Sequence, residues 1–352
     1  MLPVEKILKA QQANRSFICL GLDLDPKKMP KEHASSPKGM FDFVKAIVDA
    51  TADQVCAYKP NLAFYEALGS DGFALLQLIV ERIPDNIPVI IDGKRNDIGN
   101  TATQYASSLF DYLKADWITI NPYMGYDSMR PFLERKDKGA FVLCLTSNAG
   151  SKDFQLLQVD GRPLYEVVAE RVNYWNKDNN CGLVVGATHP SQLGDIRALA
   201  GDMPILIPGV GAQGGSLEDA IVAGTDGFRK PAVINVSRSV LYASRGDDFA
   251  SKARQELARL NAIVTKVRYG DQSEGKANGP SKDQQPAPQN QGAPQEAVPQ
   301  EPQPEPPIQV QPTEQATPPD VEQPRQPEEP EPPDREPSDD SDSSHPESSA
   351  QQ

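Results

Sequence analysis

The first 270 residues of this 352-residue chain are predicted to form an α/β fold, a (β/α)8 TIM barrel, followed by a disordered tail. Two features of the sequence predict the barrel. Short apolar segments rich in β-branched residues recur eight times, and amphipathic helical segments separate them. The short segments are apolar at successive positions, as parallel strands covered by helices are. Eight such units in about 250 residues suit a TIM barrel, and a doubly wound open sheet is the alternative.

The predicted elements follow one another at regular intervals. Asp97 is expected to open the predicted helix over residues 97–114, because a carboxylate suits the positive end of a helix dipole. Functional residues are expected at the carboxyl ends of the strands. The strand candidates are residues 16–22, 55–59, 88–91, 116–121, 140–146, 181–187, 203–208 and 232–236, and the helix candidates include residues 39–53, 71–82, 97–114, 161–176, 191–199 and 247–267.

Charge is divided unevenly along the chain. Residues 1–270 contain 31 acidic and 31 basic side chains, whereas residues 271–352 contain 18 acidic and 4 basic ones, which gives the chain its net charge of −14. The same tail holds 19 of the 33 prolines and no aromatic residue. Such a segment cannot bury enough apolar surface to offset the entropy of ordering it. We therefore expect a folded domain over residues 1–270 and a disordered Pro/Glu/Gln-rich tail over residues 271–352.

Several classes of protein are disfavoured by the sequence. No run of about 18 apolar residues predicts a transmembrane helix, and the N-terminus lacks the pattern of a secretory signal. The four cysteines lie in apolar, strand-like segments, which predicts buried, reduced thiols in a cytoplasmic protein. The three histidines are scattered, so no metal site is expected. The acidic tail would repel nucleic acid, and no nucleic-acid or membrane partner is expected.

The most informative segment reads V-I-I-D-G-K-R-N-D-I-G-N-T over residues 89–101. An apolar strand stops there, and Asp92, Lys94 and Asp97 follow it. Side chains alternate along a strand, so Asp92 and Lys94 are predicted to share a face, where they could transfer a proton or hold charge. A surface salt bridge beside a helix cap is the alternative. Asp23 and Lys59, after the first two strands, would converge on the same end of the barrel, which favours a functional site.

A second polar region follows the last two strand candidates. Four glycines lie between Gly209 and Gly215, just before a predicted helix. Such glycines let backbone N–H groups approach an anion, and the helix dipole favours negative charge there. Arg238, flanked by two serines, could pair with phosphate oxygens. A tight turn beside a surface arginine is the alternative, but loops after strands seven and eight often bind phosphate in TIM barrels. A phosphorylated small molecule is therefore the expected substrate.

Over about residues 16–245 the chain resembles the orotidine 5′-phosphate decarboxylases, which make UMP, and most closely their longer bacterial subgroup. The resemblance rests on K-P-N at residues 59–61, D-G-K-R-N-D-I at residues 92–98 and P-G-V-G-A-Q-G-G at residues 208–215. It implies a TIM barrel, a cofactor-independent decarboxylation of orotidine 5′-phosphate to UMP in de novo pyrimidine biosynthesis, and a homodimer.

The resemblance also implies roles for individual residues. Lys59, Asp92, Lys94 and Asp97 resemble the family's network of alternating charges, in which Asp97 reaches across the dimer interface into the partner's site. The implied substrate contacts are Asp23, Lys59 and Thr101 at the ribose hydroxyls, with Thr101 coming from the partner, Ser147 at the pyrimidine edge, and Gln213, Arg238 and the backbone around Gly211 at the phosphate.

The implied reaction needs charge stabilisation. Loss of CO2 from C6 leaves a carbanion that no ring carbonyl is placed to delocalise, and no motif for thiamine, pyridoxal or a metal is visible. Fixed ammonium groups must then stabilise the developing charge. Lys94 is the candidate acid that protonates C6, and Asp92 and Asp97 are expected to keep it charged.

Two other functions stay open. Magnesium-dependent sugar-phosphate lyases of the same superfamily, such as keto-gulonate-phosphate decarboxylase and hexulose-phosphate synthase, share the D-x-K-x-x-D pattern. They typically have a glutamate after strand two, where it helps to bind the metal. This chain has Lys59 at that place, and its positive charge would repel magnesium. A scaffold role would use P-x-x-P spacings within residues 302–307 and 324–333, which could dock on aromatic grooves. The acidic residues around them favour an extended, solvating linker instead.

Overall fold

The structure, a computed structural model, describes residues 1–211, 214–226 and 230–269, which belong to one compact unit. The predicted tail, residues 271–352, lies outside the described residues, and so does Gln213. Within the described part of the chain, no helix is both long and apolar enough to cross a membrane.

The strands are β1 Ile18–Gly21, β2 Ala57–Lys59, β3 Ile90–Arg95, β4 Trp117–Ile120, β5 Gly139–Leu145, β6 Cys181–Val185, β7 Ile205–Ile207 and β8 Ala232–Val236. These eight parallel strands form the barrel, and their hydrogen-bonded order is β2-β1-β8-β7-β6-β5-β4-β3. Backbone hydrogen bonds also join β2 to β3: Tyr58 N donates to Pro88 O at 3.0 Å, and Asp92 N donates to Pro60 O at 2.9 Å. The sheet therefore closes, and the predicted barrel is confirmed over the open sheet.

Helices occupy the connections between the strands, and all six predicted helices are present with ends shifted by a few residues. A two-stranded hairpin, Gln158–Val159 with Arg162–Pro163, interrupts the connection after β5. The helices are Pro3–Asn14, Lys31–Ala34, Pro37–Thr51, Leu62–Glu66, Ser70–Arg82, Gly99–Ala106 continued by a π-helical segment Ser107–Tyr112, Tyr126–Leu133, Leu164–Trp175, Pro190–Ala200, Leu217–Thr225, Arg238–Leu241 and Phe249–Tyr269, and a 3-10 turn spans Ala149–Asp153.

The prediction that Asp97 opens a helix is wrong. The helix begins at Gly99, after Ile98, and Asp97 Oδ1 accepts the N–H of Ile98 at 2.8 Å. Gly99 has a φ of +49°, so the chain is still turning at that residue. Asp97 thus lies in the turn between β3 and the helix, and its carboxylate does not cap the helix.

The barrel interior is a separate apolar cluster, distinct from the larger layer between strands and helices. It includes Trp117 and Phe141, whose rings lie 4.5 Å apart. The first helix, which the predicted set did not include, covers the amino-terminal end of the barrel. Its Ile7 joins the interior cluster, and Lys6 Nζ lies 2.7 Å from Asp116. The four cysteines are buried and free, as predicted. Ile7 therefore caps the apolar interior at its amino-terminal end, and a polar cavity opens at the carboxyl ends of the strands.

Candidate active site

A cavity of about 340 Å³ opens at the carboxyl ends of the strands. Its position follows from strand periodicity, because side chains two residues apart point the same way. The interior-cluster residues of β2, β3 and β4 are followed two positions later by Lys59, Asp92 and Thr119, which line the cavity. By the same rule β5 contributes Leu143 and β8 contributes Asn235. The cavity floor is thus the layer directly above the apolar interior.

Asp92 holds two ammonium groups at once. Lys59 Nζ lies 3.0 Å from its Oδ2 atom, and Lys94 Nζ lies 2.6 Å from its Oδ1 atom. Thr119 Oγ1 donates to Oδ1 at 2.8 Å, and Asn61 Nδ2 contacts Oδ2 at 3.4 Å. The side chain of Lys59 is 4 % exposed and that of Asp92 is 11 % exposed, whereas that of Lys94 is 47 % exposed. Lys94 is therefore the member of the network that a ligand can reach most freely.

The electrostatics of this network favour the charged forms. Burial alone would raise the pKa of Asp92, but the ammonium groups of Lys59 and Lys94 outweigh it and hold that pKa well below its usual range. Burial likewise lowers the pKa of Lys59, yet the carboxylates of Asp92 and Asp23 bring it above its ordinary value. Asp92 and Lys59 consequently stay ionised across the neutral pH range, which gives the cavity fixed charges of both signs.

Asp92 and Lys94 meet, as predicted, but not by simple alternation along a strand. The pairing of β3 with β4 is regular at Ile91 and is resumed at Arg95, with an irregularity between them. Within it Lys94 has a φ of +47°, a left-handed conformation that is rare for residues other than glycine. The side chains converge because the strand bulges, which period-two reasoning does not include.

Asp23 follows β1 and is held by hydrogen bonds from residues that follow β8. Ser237 Oγ donates to Asp23 Oδ2 at 2.8 Å, and Tyr242 Oη donates to the carbonyl of Asp23 at 2.7 Å. Tyr65 Oη donates to the carbonyl of Leu22 at 2.8 Å. Asp23 Oδ1 is buried without a protein partner. The carboxylate of Asp23 is thus held in place where the residue lines the cavity.

The region predicted to bind phosphate is partly described. Arg238 lines the cavity together with Pro208, Gly209 and Val210. Gly211 has a φ of +72°, and its N–H donates to the carbonyl of Gly215 at 3.0 Å, so the loop folds back on itself one residue beyond the cavity lining. The arginine and the glycine loop therefore lie at the same side of the cavity.

Ser147 lines the wall of the cavity that the loop after β5 forms. The loop is braced by Gln155, whose Oε1 atom accepts the N–H of Thr146 at 2.8 Å and whose Nε2 atom donates to Thr146 Oγ1 at 2.9 Å. Thr146 Oγ1 also donates to Asn148 Oδ1 at 2.6 Å. The hydroxyl and amide groups of this wall can recognise the polar edge of a planar ring.

Six of the predicted site residues share this one cavity, and others do not. Asp97 and Thr101 are absent from its lining within the described single chain, because Asp97 lies in the turn that follows β3 and Thr101 lies in the helix after that turn. Gly211 lies just outside it. The six residues that line it are Asp23, Lys59, Asp92, Lys94, Ser147 and Arg238.

Sequence reasoning missed Thr119, Ser237 and Asn235 as members of the site. All three line the cavity, and Thr119 and Ser237 hold the carboxylates of Asp92 and Asp23. A signal for Thr119 exists in the sequence, since it is the one hydroxyl within the apolar run W-I-T-I of residues 117–120. In a barrel whose interior is packed with side chains, a hydroxyl residue two positions after an interior aromatic residue is expected to face the cavity at the end of the strand.

Comparisons with known proteins agree with this geometry. The sequence model of the Orotidine 5′-phosphate decarboxylase / HUMPS family matches residues 16–253. The orotidine 5′-phosphate decarboxylase of Herpetosiphon aurantiacus is 51% identical over 254 residues, 72% of this chain and 94% of the relative. That of Cupriavidus metallidurans is 47% identical over 270 residues, 76% of this chain and 98% of the relative. The solved structure of Leishmania donovani OMP decarboxylase superposes with a TM-score of 0.65 at 40% identity, covering 75% of this chain and 98% of that one. The chain therefore belongs to the orotidine 5′-phosphate decarboxylase / HUMPS family.

Proposed function

We propose that this chain is an orotidine 5′-phosphate decarboxylase, a carboxy-lyase that forms UMP and CO2 in de novo pyrimidine biosynthesis. Its family and relatives carry that activity in their names. The observation that supports it best is the pair of ammonium groups, Lys59 and Lys94, on the two oxygens of Asp92 in a cavity of nucleotide-binding size. A carbanion formed in this cavity meets fixed positive charge.

In the proposed reaction the C6–carboxyl bond of the pyrimidine breaks, CO2 leaves, and the electron pair stays on C6. Lys94 donates a proton from its ammonium group to that carbon, which gives UMP. Asp92 orients Lys94, since its Oδ1 atom is 2.6 Å from Lys94 Nζ. Because the charges are already in place before the bond breaks, little reorganisation is needed during the reaction.

The remaining lining residues suit the other parts of the nucleotide. Asp23 and Lys59 both line the cavity and can bind ribose hydroxyls. Ser147 faces the pyrimidine edge, and Arg238 binds the phosphate, with Gln213 and the backbone around Gly211 completing the phosphate site. No protein cofactor is required in this scheme, because the ammonium groups stabilise the charge.

The function is tested by incubating the purified protein with orotidine 5′-phosphate and excess EDTA while the pyrimidine absorbance is followed. We expect rapid formation of UMP with release of CO2. A folded protein that shows no conversion in EDTA, but acts on a sugar phosphate once magnesium is added, would instead be one of the metal-dependent lyases.

Replacing Arg238 with alanine should lower kcat/KM by about 10²-fold, as expected for the loss of hydrogen bonds to a charged group. The fold should survive because Arg238 is exposed on a short helix after β8. The Arg259→Ala variant is the matched control, since Arg259 pairs with Glu256 on the last helix. The deficit of Arg238→Ala should shrink for orotidine, which lacks the phosphate. An unchanged kcat/KM would remove Arg238 from the phosphate site.

We further propose that the enzyme is a homodimer in which Asp97 and Thr101 complete the partner's site. The support is an exposed apolar surface at the carboxyl ends of β3, β4 and β5. Ile98 is 58% exposed, Tyr123 is 82% exposed and Phe154 is 59% exposed. Exposed apolar groups grouped in this way usually mark an interface. Asp97 and Thr101 flank Ile98 on the same segment, so a partner covering this surface brings them to a second cavity.

Mixing two inactive variants tests this arrangement. Asp97→Ala and Lys94→Ala dimers should each be inactive, and exchange of subunits between them should restore activity. A hybrid dimer holds one intact site, so an equal mixture should recover about a quarter of the wild-type activity if subunits exchange at random. Recovery should require conditions that exchange subunits. A mixture that stays inactive after proven exchange would place Asp97 in the site of its own chain.

A cytoplasmic location is proposed as well. The four cysteines are free and buried, which fits a reducing compartment. Fractionation of the source cells followed by the UMP-forming assay on each fraction measures it, and activity confined to the membrane fraction would contradict it.

A further inference from the structure

Thr119 on β4 lies opposite the irregular part of β3. Ile91 pairs with Ile118, and Arg95 pairs with Ile120. Three residues of β3, 92–94, therefore lie opposite a single residue of β4, Thr119. Thr119 is fully buried, and it lines the floor of the cavity.

The hydroxyl of Thr119 joins the two central residues of the site. It accepts the backbone N–H of Lys94 at 2.9 Å and donates to Asp92 Oδ1 at 2.8 Å. A hydroxyl has one proton and two lone pairs, so both hydrogen bonds can exist together. In a regular parallel ladder a backbone carbonyl would accept the N–H at such a position. Here a side chain accepts it because the bulge moves Lys94 out of register.

The same hydrogen bond bears on the conformation of Lys94. Its φ of +47° is unfavourable for a residue with a Cβ atom and persists where the surroundings hold it. With this backbone, Lys94 Nζ turns back onto Asp92 at 2.6 Å. Asp92 Oδ1 accepts from Lys94 and from Thr119, so one buried hydroxyl fixes both the backbone that carries the ammonium group and the carboxylate that receives it.

We propose that Thr119 is a positioning residue of the decarboxylase: its hydroxyl holds Lys94 in the left-handed conformation and fixes the carboxylate of Asp92. The inference rests on the proposed role of Lys94. Thr119 does not touch the reacting carbon in this scheme. Its loss should therefore reduce turnover through misplacement of Lys94, while substrate binding by the ribose and phosphate contacts persists.

The test compares Thr119→Val, which keeps the shape and removes the hydroxyl, with Thr119→Ser, which keeps the hydroxyl. We expect kcat of Thr119→Val to fall about 10²-fold, the size expected for a misplacement of about 1 Å. Its KM and its Kd for UMP should stay within about threefold of wild type, as expected when binding contacts are untouched. Thr119→Ser should recover most of kcat. Thr225→Val is the control, because Thr225 is equally buried and its hydroxyl donates to the carbonyl of Ile221 at 2.6 Å on an outer helix.

Each outcome decides the matter. A kcat of Thr119→Val near wild type, or equal losses in the valine and serine variants, overturns the inference. If the valine variant does not fold, Thr119→Ala replaces it in the same comparison with serine. Lys94→Ala is measured alongside. Near-normal turnover by Lys94→Ala refutes the proposed role of Lys94, whereas an inactive Lys94→Ala with a normal Thr119→Val refutes the role of Thr119 alone.

Discussion

Replacing Lys94 with alanine is expected to lower kcat for decarboxylation by about 10⁴-fold or more, the upper range for loss of a general acid. Lys94 Nζ lies 2.6 Å from Asp92 Oδ1 at the edge of the cavity, and its side chain is 47% exposed. No other ammonium group of the network is as accessible, because Lys59 is buried beneath it. UMP should still bind, since the ribose and phosphate contacts come from other residues. Stopped-flow absorbance and UMP titration measure the two quantities.

The matched control for this variant is Lys6→Ala. Lys6 Nζ also lies 2.7 Å from a carboxylate, that of Asp116, but at the amino-terminal end of the barrel. Its loss should leave kcat within about twofold of wild type, because mutations away from a site usually act on stability alone. Decarboxylation by Lys94→Ala at a rate close to that of Lys6→Ala would exclude Lys94 as the acid.

Replacing Asp92 with asparagine should have the second largest effect, with kcat/KM lowered by about 10³-fold, as for loss of a preorganised electrostatic contact. The amide keeps the shape of the carboxylate and removes its charge. Lys59, whose side chain is 4% exposed, would then be a buried cation without its nearest counter-charge, and Lys94 would lose the acceptor that orients it. Breaking a buried ion pair on one side costs about 3–5 kcal/mol of stability. Steady-state kinetics and urea unfolding measure the two losses.

The stability loss of Asp92→Asn should depend on pH. The pKa of Asp92 is held below its ordinary value of 3.8, so the carboxylate stabilises the fold above that value and loses this effect as the pH falls through its lowered pKa. The difference in unfolding free energy between wild type and variant should be constant above pH of about 5 and shrink in more acidic buffer. Asp116→Asn is the control: it loses the ion pair with Lys6, while its amide oxygen can still accept the N–H of Val89, and it should cost stability but not turnover. A catalytic loss in Asp116→Asn as large as that in Asp92→Asn would show that both changes act through the fold.

The eight strand–helix units and most of the cavity could be predicted from the sequence because both follow from periodicity. Strand residues alternate, so apolar runs place Lys59 and Asp92 two positions above an apolar interior, where the structure has them. Ser147 and Arg238 could be placed in the same way, from the ends of their strands. Closure of the sheet could not be predicted, because it depends on the β2–β3 hydrogen bonds and not on any one strand.

Other features could not be predicted because they depart from regular geometry. The bulge in β3 puts Lys94 in a left-handed conformation, and nothing in its residue type signals this. Periodicity alone can place Thr119 in the cavity, but its hydrogen bond to Lys94 exists because that bulge leaves an N–H for its hydroxyl to accept. The residue type of Asp97 predicts that it opens a helix, but the helix begins two residues later, at Gly99. In each case the local backbone conformation, rather than the side chain, decides the outcome.

Hydrogen–deuterium exchange at C6 of UMP tests the proposed proton donor most directly. By microscopic reversibility, the group that protonates C6 also removes a proton from it. In D2O we expect the wild-type protein to exchange the C6 hydrogen of UMP, followed by proton NMR, and Lys94→Ala to leave it unexchanged while still binding UMP. Exchange by Lys94→Ala at the wild-type rate would contradict the account and assign the proton to another group.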